Sequence, residues 1–171
     1  AAILCLTGLM NLTAESAQDY VSKPAGFIRL EIASNASVLV STPFTPPNGQ
    51  LGVVFSNQLT GADNEESADR ILKWSSAAQQ YVVSYKKDMD WFQGGNTNYS
   101  TQTVAVGEGF WIENRHAPQS VYLAGQVVLS GTQTWSFAQG LSVFGYPYSS
   151  LIDINESALA LDGAFGSSNA W

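Results

Sequence analysis

Residues 71–85 of this chain read ILKWSSAAQQYVVSY. Two short apolar runs, at 71–74 and 81–85, stand on either side of a polar linker. Aliphatic and aromatic residues suit a pleated, half-buried surface, and two such runs joined by a short polar link predict a β-hairpin. The fold class follows because the rest of the chain repeats this pattern.

Short apolar runs recur from Tyr20 onward. Residues 27–32, FIRLEI, alternate apolar and polar side chains with a period of two, which predicts a strand with one buried face. Outside the N-terminal region, no ten-residue segment has the 3.6-residue period of a helix. The sequence therefore predicts an all-β fold, an antiparallel β-sandwich or a barrel-like module. Further strands are predicted at 37–41, 51–55, 110–113, 121–123, 126–129, 134–137 and 141–144.

The composition limits the classes of partner. The 171 residues are 45% hydrophobic and only 12% charged, and the net charge is −7. The one basic cluster, Lys86-Lys87, is followed by Asp88 and Asp90. A chain without a basic patch cannot neutralise phosphates, so nucleic acid and anionic membranes are disfavoured as partners. The low charge and the abundance of small polar and aromatic residues are typical of secreted β proteins.

The N-terminus predicts export. Residues 1–12, AAILCLTGLMNL, form an apolar run that is too short to span a bilayer, and residues 14–16 fit a cleavage site. We predict that residues 1–16 are the remnant of a signal peptide, with a buried N-terminal helix as the alternative. The mature chain is then secreted or cell-surface, without membrane insertion after cleavage. Cys5, the sole cysteine, lies in the predicted leader.

A weak internal repeat divides the chain. Residues 37–44, SVLVSTPF, parallel residues 142–148, SVFGYPY. We predict a first β unit at 20–128 and the start of a second unit at 129–171. The second unit is interpreted as incomplete, truncated at its C-terminus and packed on the first.

The same motifs carry a resemblance. The stretch GYPYSSLID at 145–153, the ILKW and YVVSY runs at 71–85 and the VGEGFWI stretch at 106–112 resemble β-sandwich modules of secreted and surface proteins of Bacteroidetes and Verrucomicrobia. The segment that begins with GFIRLEI at 26–32 is especially similar to an uncharacterised verrucomicrobial secreted family. The order of the motifs is permuted, which fits tandem units.

The resemblance implies no assigned catalytic residues and no cofactor. It predicts a non-catalytic secreted or cell-surface β module with a structural or adhesive role. An accessory carbohydrate-binding module is the alternative, and a glycoside hydrolase fragment is a more distant one. The expected partners are extracellular polysaccharide or other surface proteins.

Candidate catalytic groups are few. His116, the one histidine, follows a predicted strand, and no G-x-S-x-G motif accompanies it, so we interpret it as an exposed turn residue. Glycoside hydrolysis needs two carboxylates that flank one bond. The candidate pairs are Asp88 with Asp90, interpreted together with Lys86 and Lys87 as a charged edge, and Glu108 with Glu113.

Two kinds of binding site are predicted. Exposed aromatic faces and amides bind sugars, and one glycine-rich region holds Trp91, Phe92, Asn96, Asn98 and Tyr99. In the alternative interpretation, Trp91 only closes a hairpin, and Trp74, Trp111 and Trp135 are core residues. Asp153 and Asn155 have the spacing that begins a calcium loop, but the glycine and the glutamate of that loop are missing. Ordinary turns are the interpretation preferred for that segment.

Overall fold

The structure, a computed structural model, describes residues 23–94, 98–129, 131, 133–135 and 139–150. The predicted signal peptide at 1–16 therefore lies outside the described residues. Nine strands and one helical turn are found in the described part. They are β1 (Ala25–Ile32), β2 (Ser37–Ser41), β3 (Phe44–Thr45), α1 (Leu51–Val54), β4 (Arg70–Ser75), β5 (Gln80–Lys87), β6 (Asp90–Gln93), β7 (Asn98–Tyr99), β8 (Gly109–Glu113) and β9 (Gln119–Val127).

The strands form two antiparallel sheets that pack face to face. One sheet has three strands in the order β1-β9-β3, and the other has six in the order β2-β8-β4-β5-β6-β7. The sheets are not closed into a barrel, so the sandwich, one of the two predicted architectures, is confirmed. The predicted hairpin of 71–85 is also confirmed, because β4 pairs with β5 from Arg70↔Tyr85 to Ser75↔Gln80.

Period-two alternation decides which side chains form the core. In β8, Phe110 and Ile112 are fully buried, whereas the alternate residues Trp111 and Glu113 are partly exposed. The register aligns Ile71 with Ile112, so inward-facing residues of neighbouring strands meet. The three-stranded sheet supplies the opposite wall of the core, chiefly Ile28, Leu30, Ile32, Val121 and Leu123.

The prediction of a strand at 51–55 is wrong, because this segment forms α1. A strand would place Leu51, Val53 and Phe55 on one face. Val53 is instead 47% exposed, while Leu51 and Phe55, four residues apart, are buried as on one face of a helix. The Asn48 side chain accepts a hydrogen bond from the Gln50 amide at 2.9 Å and holds the turn that starts this segment.

The predicted strand at 141–144 is also absent, apart from one isolated bridge between Phe144 and Glu108. Residues 37–41, the segment parallel to it in the repeat, do form β2. The two segments of the predicted repeat therefore differ in secondary structure. The Gly145 amide donates a hydrogen bond of 2.7 Å to the carbonyl oxygen of Gly107, so this segment contacts the β8 end of the larger sheet.

Candidate functional site

The predicted sugar-binding residues lie at one edge of the six-stranded sheet. Phe92 of β6 stands opposite Tyr99 of β7, and their rings stack at 4.9 Å with an angle of 29°. Tyr99 is 68% exposed, and Asn98 beside it is exposed as well. The structure thus brings three of the five predicted residues together. Asn96 lies outside the described residues.

Cross-strand register explains why these rings meet. Tyr85, Phe92 and Tyr99 stand opposite one another on β5, β6 and β7, so their side chains share one face of the sheet. The ring centroids of Tyr85 and Phe92 are 6.1 Å apart. Burial raises the pKa of Tyr85, and the nearby charge of Glu65 raises it further. The ladder therefore runs from a buried, neutral tyrosine to an exposed ring at the edge.

Trp91 lies on the other face of β6. It is only 5% exposed, and its ring centroid is 5.8 Å from that of buried Phe55. It therefore belongs to the core, and its ring face is not available to stack on a ligand. The alternation along β6 places Phe92 outside and Trp91 inside.

Lys86, opposite Trp91 in the register, is buried too. Its ammonium donates a hydrogen bond of 3.2 Å to the carbonyl oxygen of Ser56. Burial lowers the pKa of Lys86, and the charge of Asp69 acts in the opposite direction. The interpretation of Lys86 as part of a charged surface edge is therefore wrong, although Lys87, Asp88 and Asp90 do lie toward the solvent.

A cleft of about 360 Å³ adjoins the β6–β7 edge. It is lined by Trp91 and Tyr99, and Asp90 is the one charged residue among the described residues of its lining. Hydroxyl and amide groups with a single carboxylate suit a neutral, hydroxylated ligand better than an ion. The uncharged polar residues of the lining are Gln50, Ser100, Thr101, Gln102 and Thr103.

Asp69 is the most connected polar residue of the core and was not singled out from the sequence. Its fully buried carboxylate accepts hydrogen bonds from the Thr60 amide (2.7 Å), the Arg115 amide (2.8 Å) and Gln119 Nε2 (2.9 Å). Burial raises the pKa of Asp69, but the hydrogen bonds from Arg115, His116, Gln119 and Thr60 outweigh it, so the pKa lies below 3.8. This carboxylate ties the 60–69 loop to the β8–β9 turn.

His116 completes the Asp69 cluster. Its Nδ1 lies 3.0 Å from Asp69 Oδ1, and its side chain is 36% exposed. An ionised carboxylate only accepts hydrogen bonds, so Nδ1 carries the proton. The histidine is thus tethered rather than simply exposed. No serine or threonine hydroxyl hydrogen-bonds to its ring in the described part of the chain, so the nucleophile of a catalytic triad is not seen there.

Glu108 and Glu113 cannot flank one bond. Glu113 lies on the outer face of the six-stranded sheet and pairs with Arg70 at 2.7 Å and Arg115 at 2.6 Å. Glu108 lies at the other end of β8 and pairs with Lys73, a buried residue, at 2.7 Å. Each carboxylate is held in an ion pair on its own side of the sheet.

The outer face of the six-stranded sheet carries aromatic residues that the sequence assigned to the core. Trp74 and Trp111 are partly exposed there, together with Tyr81, which is 42% exposed. Trp111 Nε1 donates a hydrogen bond of 3.1 Å to Tyr81 Oη. The rings of Trp74 and Tyr81 meet edge to face at 5.0 Å. These contacts fix the ring orientations on an open sheet face.

The proposed calcium ligands Asp153 and Asn155 lie outside the described residues. Within the described ranges, no group of three or more His, Cys, Asp or Glu side chains is arranged to share a metal ion. No helix in those ranges is long and apolar enough to cross a membrane.

A scan against protein-family models finds no match to this chain, and searches of curated proteins and of solved structures find none either. The resemblance to secreted modules of Bacteroidetes and Verrucomicrobia stays a prediction. The contacts, burial and charge of the chain's own side chains are the basis for inferring a function.

Replacing Trp91 by phenylalanine is expected to cost less than about 1 kcal/mol of unfolding free energy, whereas Trp91→Ala should cost about 3–5 kcal/mol. Trp91 Nε1 is buried and has no hydrogen-bond partner among the residues that the structure describes. An unsatisfied N–H carries a penalty of about 1–3 kcal/mol that phenylalanine removes, which offsets the smaller ring. Urea denaturation of the three proteins measures the difference. A loss well above about 1 kcal/mol in Trp91→Phe would contradict an unsatisfied indole N–H.

Proposed function

We propose that this chain is a non-catalytic module of a secreted or cell-surface protein, with a structural or adhesive role. The observation that supports the proposal is the outer face of the six-stranded sheet, where Trp74, Tyr81 and Trp111 are partly exposed on a paired, hydrogen-bonded scaffold. Contiguous apolar surface of this kind marks interaction sites, and Trp and Tyr contribute most to binding energy at interfaces.

The ionisable residues support a non-catalytic role. Asp69 and Glu113 each bind several donors, and Lys73 binds Glu108 together with the carbonyl oxygen of Thr103. A general acid or base must reach the substrate proton that it transfers. In these residues the charged groups are instead bound to other parts of the same sandwich.

Adhesion can be measured with latex beads that carry the full chain. We expect these beads to clump with one another or to attach to immobilised polysaccharides or washed bacterial cells. Beads that carry no chain should do neither. Beads with the folded chain that remain dispersed and unattached under all three conditions would overturn the proposed function.

Carbohydrate binding is the second candidate, and the stacked Phe92 and Tyr99 rings beside the polar cleft favour it. An exposed aromatic face covers the C–H face of a sugar ring, while hydroxyl and amide groups of the cleft reach its hydroxyls. The net charge of −7 disfavours anionic polysaccharides, so the expected ligand is a neutral glycan.

In affinity gels with insoluble or embedded neutral polysaccharides, we expect the migration of the chain to be retarded. We expect Tyr99→Ala to remove most of this retardation. Stacking on the exposed ring is the contact removed. Tyr122→Ala is the matched control, because Tyr122 is an exposed tyrosine, 42% accessible, on the three-stranded sheet. Equal migration of the original chain with and without polysaccharide would reject this candidate.

A further inference from the structure

A continuous apolar row crosses the outer face of the six-stranded sheet. The strand register aligns one residue from each of β2, β8, β4 and β5 on this face. None of the four side chains is fully buried, and Leu39, at the β2 edge, is 51% exposed. We call these residues the outer row: Leu39, Trp111, Leu72 and Val83. The Trp74–Tyr81 pair lies beside it and widens the apolar surface.

The outer face has no net charge, although the chain has a net charge of −7. The outward positions of β8, β4, β5 and the neighbouring β6 hold two cations, Arg70 and Lys87, and two anions, Glu113 and Asp90. Arg70 is bound to Glu113, and Lys87 stands opposite Asp90. A second copy of an acidic chain is repelled by the protein as a whole, and this neutral face is where that repulsion is weakest.

Part of this face is already covered by the chain itself. Residues 141–145 cross one end of it, where the Leu141 carbonyl oxygen accepts a hydrogen bond of 2.7 Å from Trp74 Nε1. A Cβ atom at Gly109 would lie 2.6 Å from Cγ1 of Val143, so Gly109 leaves the room that Val143 occupies. A Cβ atom at Gly145 would lie closer still to Oγ of Ser41. The outer row lies on the same face, two residues further along β2 and β8 than Ser41 and Gly109. It is therefore directly beside the end that residues 141–145 cover.

The covering segment resembles a part of the sheet that it covers. Its sequence, LSVFG at 141–145, parallels ASVLV at 36–40, which includes most of β2. The outer face therefore already packs against a segment related to its own edge strand. The β2 edge strand of a second copy has the same apolar character as residues 141–145. It can therefore pack on the outer row in the same way.

We infer that the outer row is the surface through which a second copy of this chain docks. The inference rests on the proposed adhesive function and names its partner. A glycan is a weaker fit, because it needs free hydrogen-bonding groups. Trp111 Nε1 is already bound to Tyr81, and Arg70 is bound to Glu113 and Glu65. The accessible surface of the outer row is therefore apolar. In a two-fold symmetric dimer it would face the same apolar row of the second copy.

Sedimentation velocity of the full chain over a range of concentrations tests the interface. We expect a monomer–dimer equilibrium that strengthens as salt rises from low to physiological, because salt screens the repulsion between two acidic chains. Leu39→Lys should weaken dimerisation at least tenfold by placing an unpaired charge in the contact. The control is Phe27→Lys, which makes the same charge change at a 69% exposed residue on the three-stranded sheet and should leave the dimer unchanged.

Three results would overturn the inference: a monomer up to about 1 mM, an equal loss of dimer in Phe27→Lys, or a dimer weakened by salt. Circular dichroism of both variants confirms that each is folded, since both residues are already exposed. If the chain stays monomeric while its beads attach to polysaccharide or cells, the interface is wrong and the adhesive function stands. If neither association nor attachment occurs, both fail.

Discussion

Asp69→Ala is expected to lower the free energy of unfolding by about 3–5 kcal/mol, a large share of the stability of a domain of this size. The fully buried carboxylate accepts hydrogen bonds from two backbone amides, those of Thr60 and Arg115, and from two side chains, His116 and Gln119. Alanine leaves these donors without a partner inside the protein. Urea denaturation near neutral pH measures the loss.

Acid should remove the same stabilisation. The pKa of Asp69 in the folded protein lies below 3.8, its ordinary value. A carboxyl with a lowered folded pKa contributes stability that is fully present above its unfolded pKa and disappears as pH falls through its folded pKa. The gap in stability between the original chain and Asp69→Ala should therefore be constant near neutral pH and shrink below pH 3.8. A gap that stays constant into strong acid would contradict the role of the ionised carboxylate.

Asp63→Ala is the matched control for charge. Asp63 is an exposed aspartate in the same 60–69 loop. Its removal changes the net charge by the same amount but unpairs no buried donor, so we expect a change within about 0.5 kcal/mol. Comparable losses in the two variants would show that the overall charge, and not the Asp69 hydrogen bonds, governs stability.

Phe110→Ala is expected to cost about 3–5 kcal/mol, the usual range for deleting a buried phenylalanine ring. Phe110 is fully buried, and its ring meets that of Phe55 edge to face at 6.0 Å, which joins the six-stranded sheet to the segment after α1. The cavity left between the sheets adds to the lost burial of the ring. Denaturant unfolding, with the m-value as a check on two-state behaviour, measures the effect.

Phe27→Ala serves as the control, because it makes the same substitution at a ring that is 69% exposed on the outer side of β1. We expect the free energy of unfolding to change by less than about 0.5 kcal/mol. The contact of the Phe27 ring with the Tyr122 ring, at a centroid distance of 6.3 Å, is weak. If the two variants lose equal stability, the assignment of inward and outward faces is wrong.

The sequence predicts which residues lie near one another where they are close along the chain. Phe92, Asn98 and Tyr99 were grouped because a short glycine-rich loop separates them, and β6–β7 pairing does bring them together. Asp69 was missed because its partners Arg115 and Gln119 are 46 and 50 residues away. No local pattern distinguishes an aspartate that meets four donors from one that faces water.

The β class, the hairpin of 71–85 and the alternation of the strands follow from the sequence alone, because side chains on a strand point to opposite faces with a fixed period of two. Which face of the larger sheet is covered depends on the packing of the two sheets. Trp91 is buried and Trp74 and Trp111 are partly exposed because the second sheet and α1 pack on one face of the larger sheet. An alternating pattern is the same whichever face is buried, and burial depends on contacts between residues far apart in the chain.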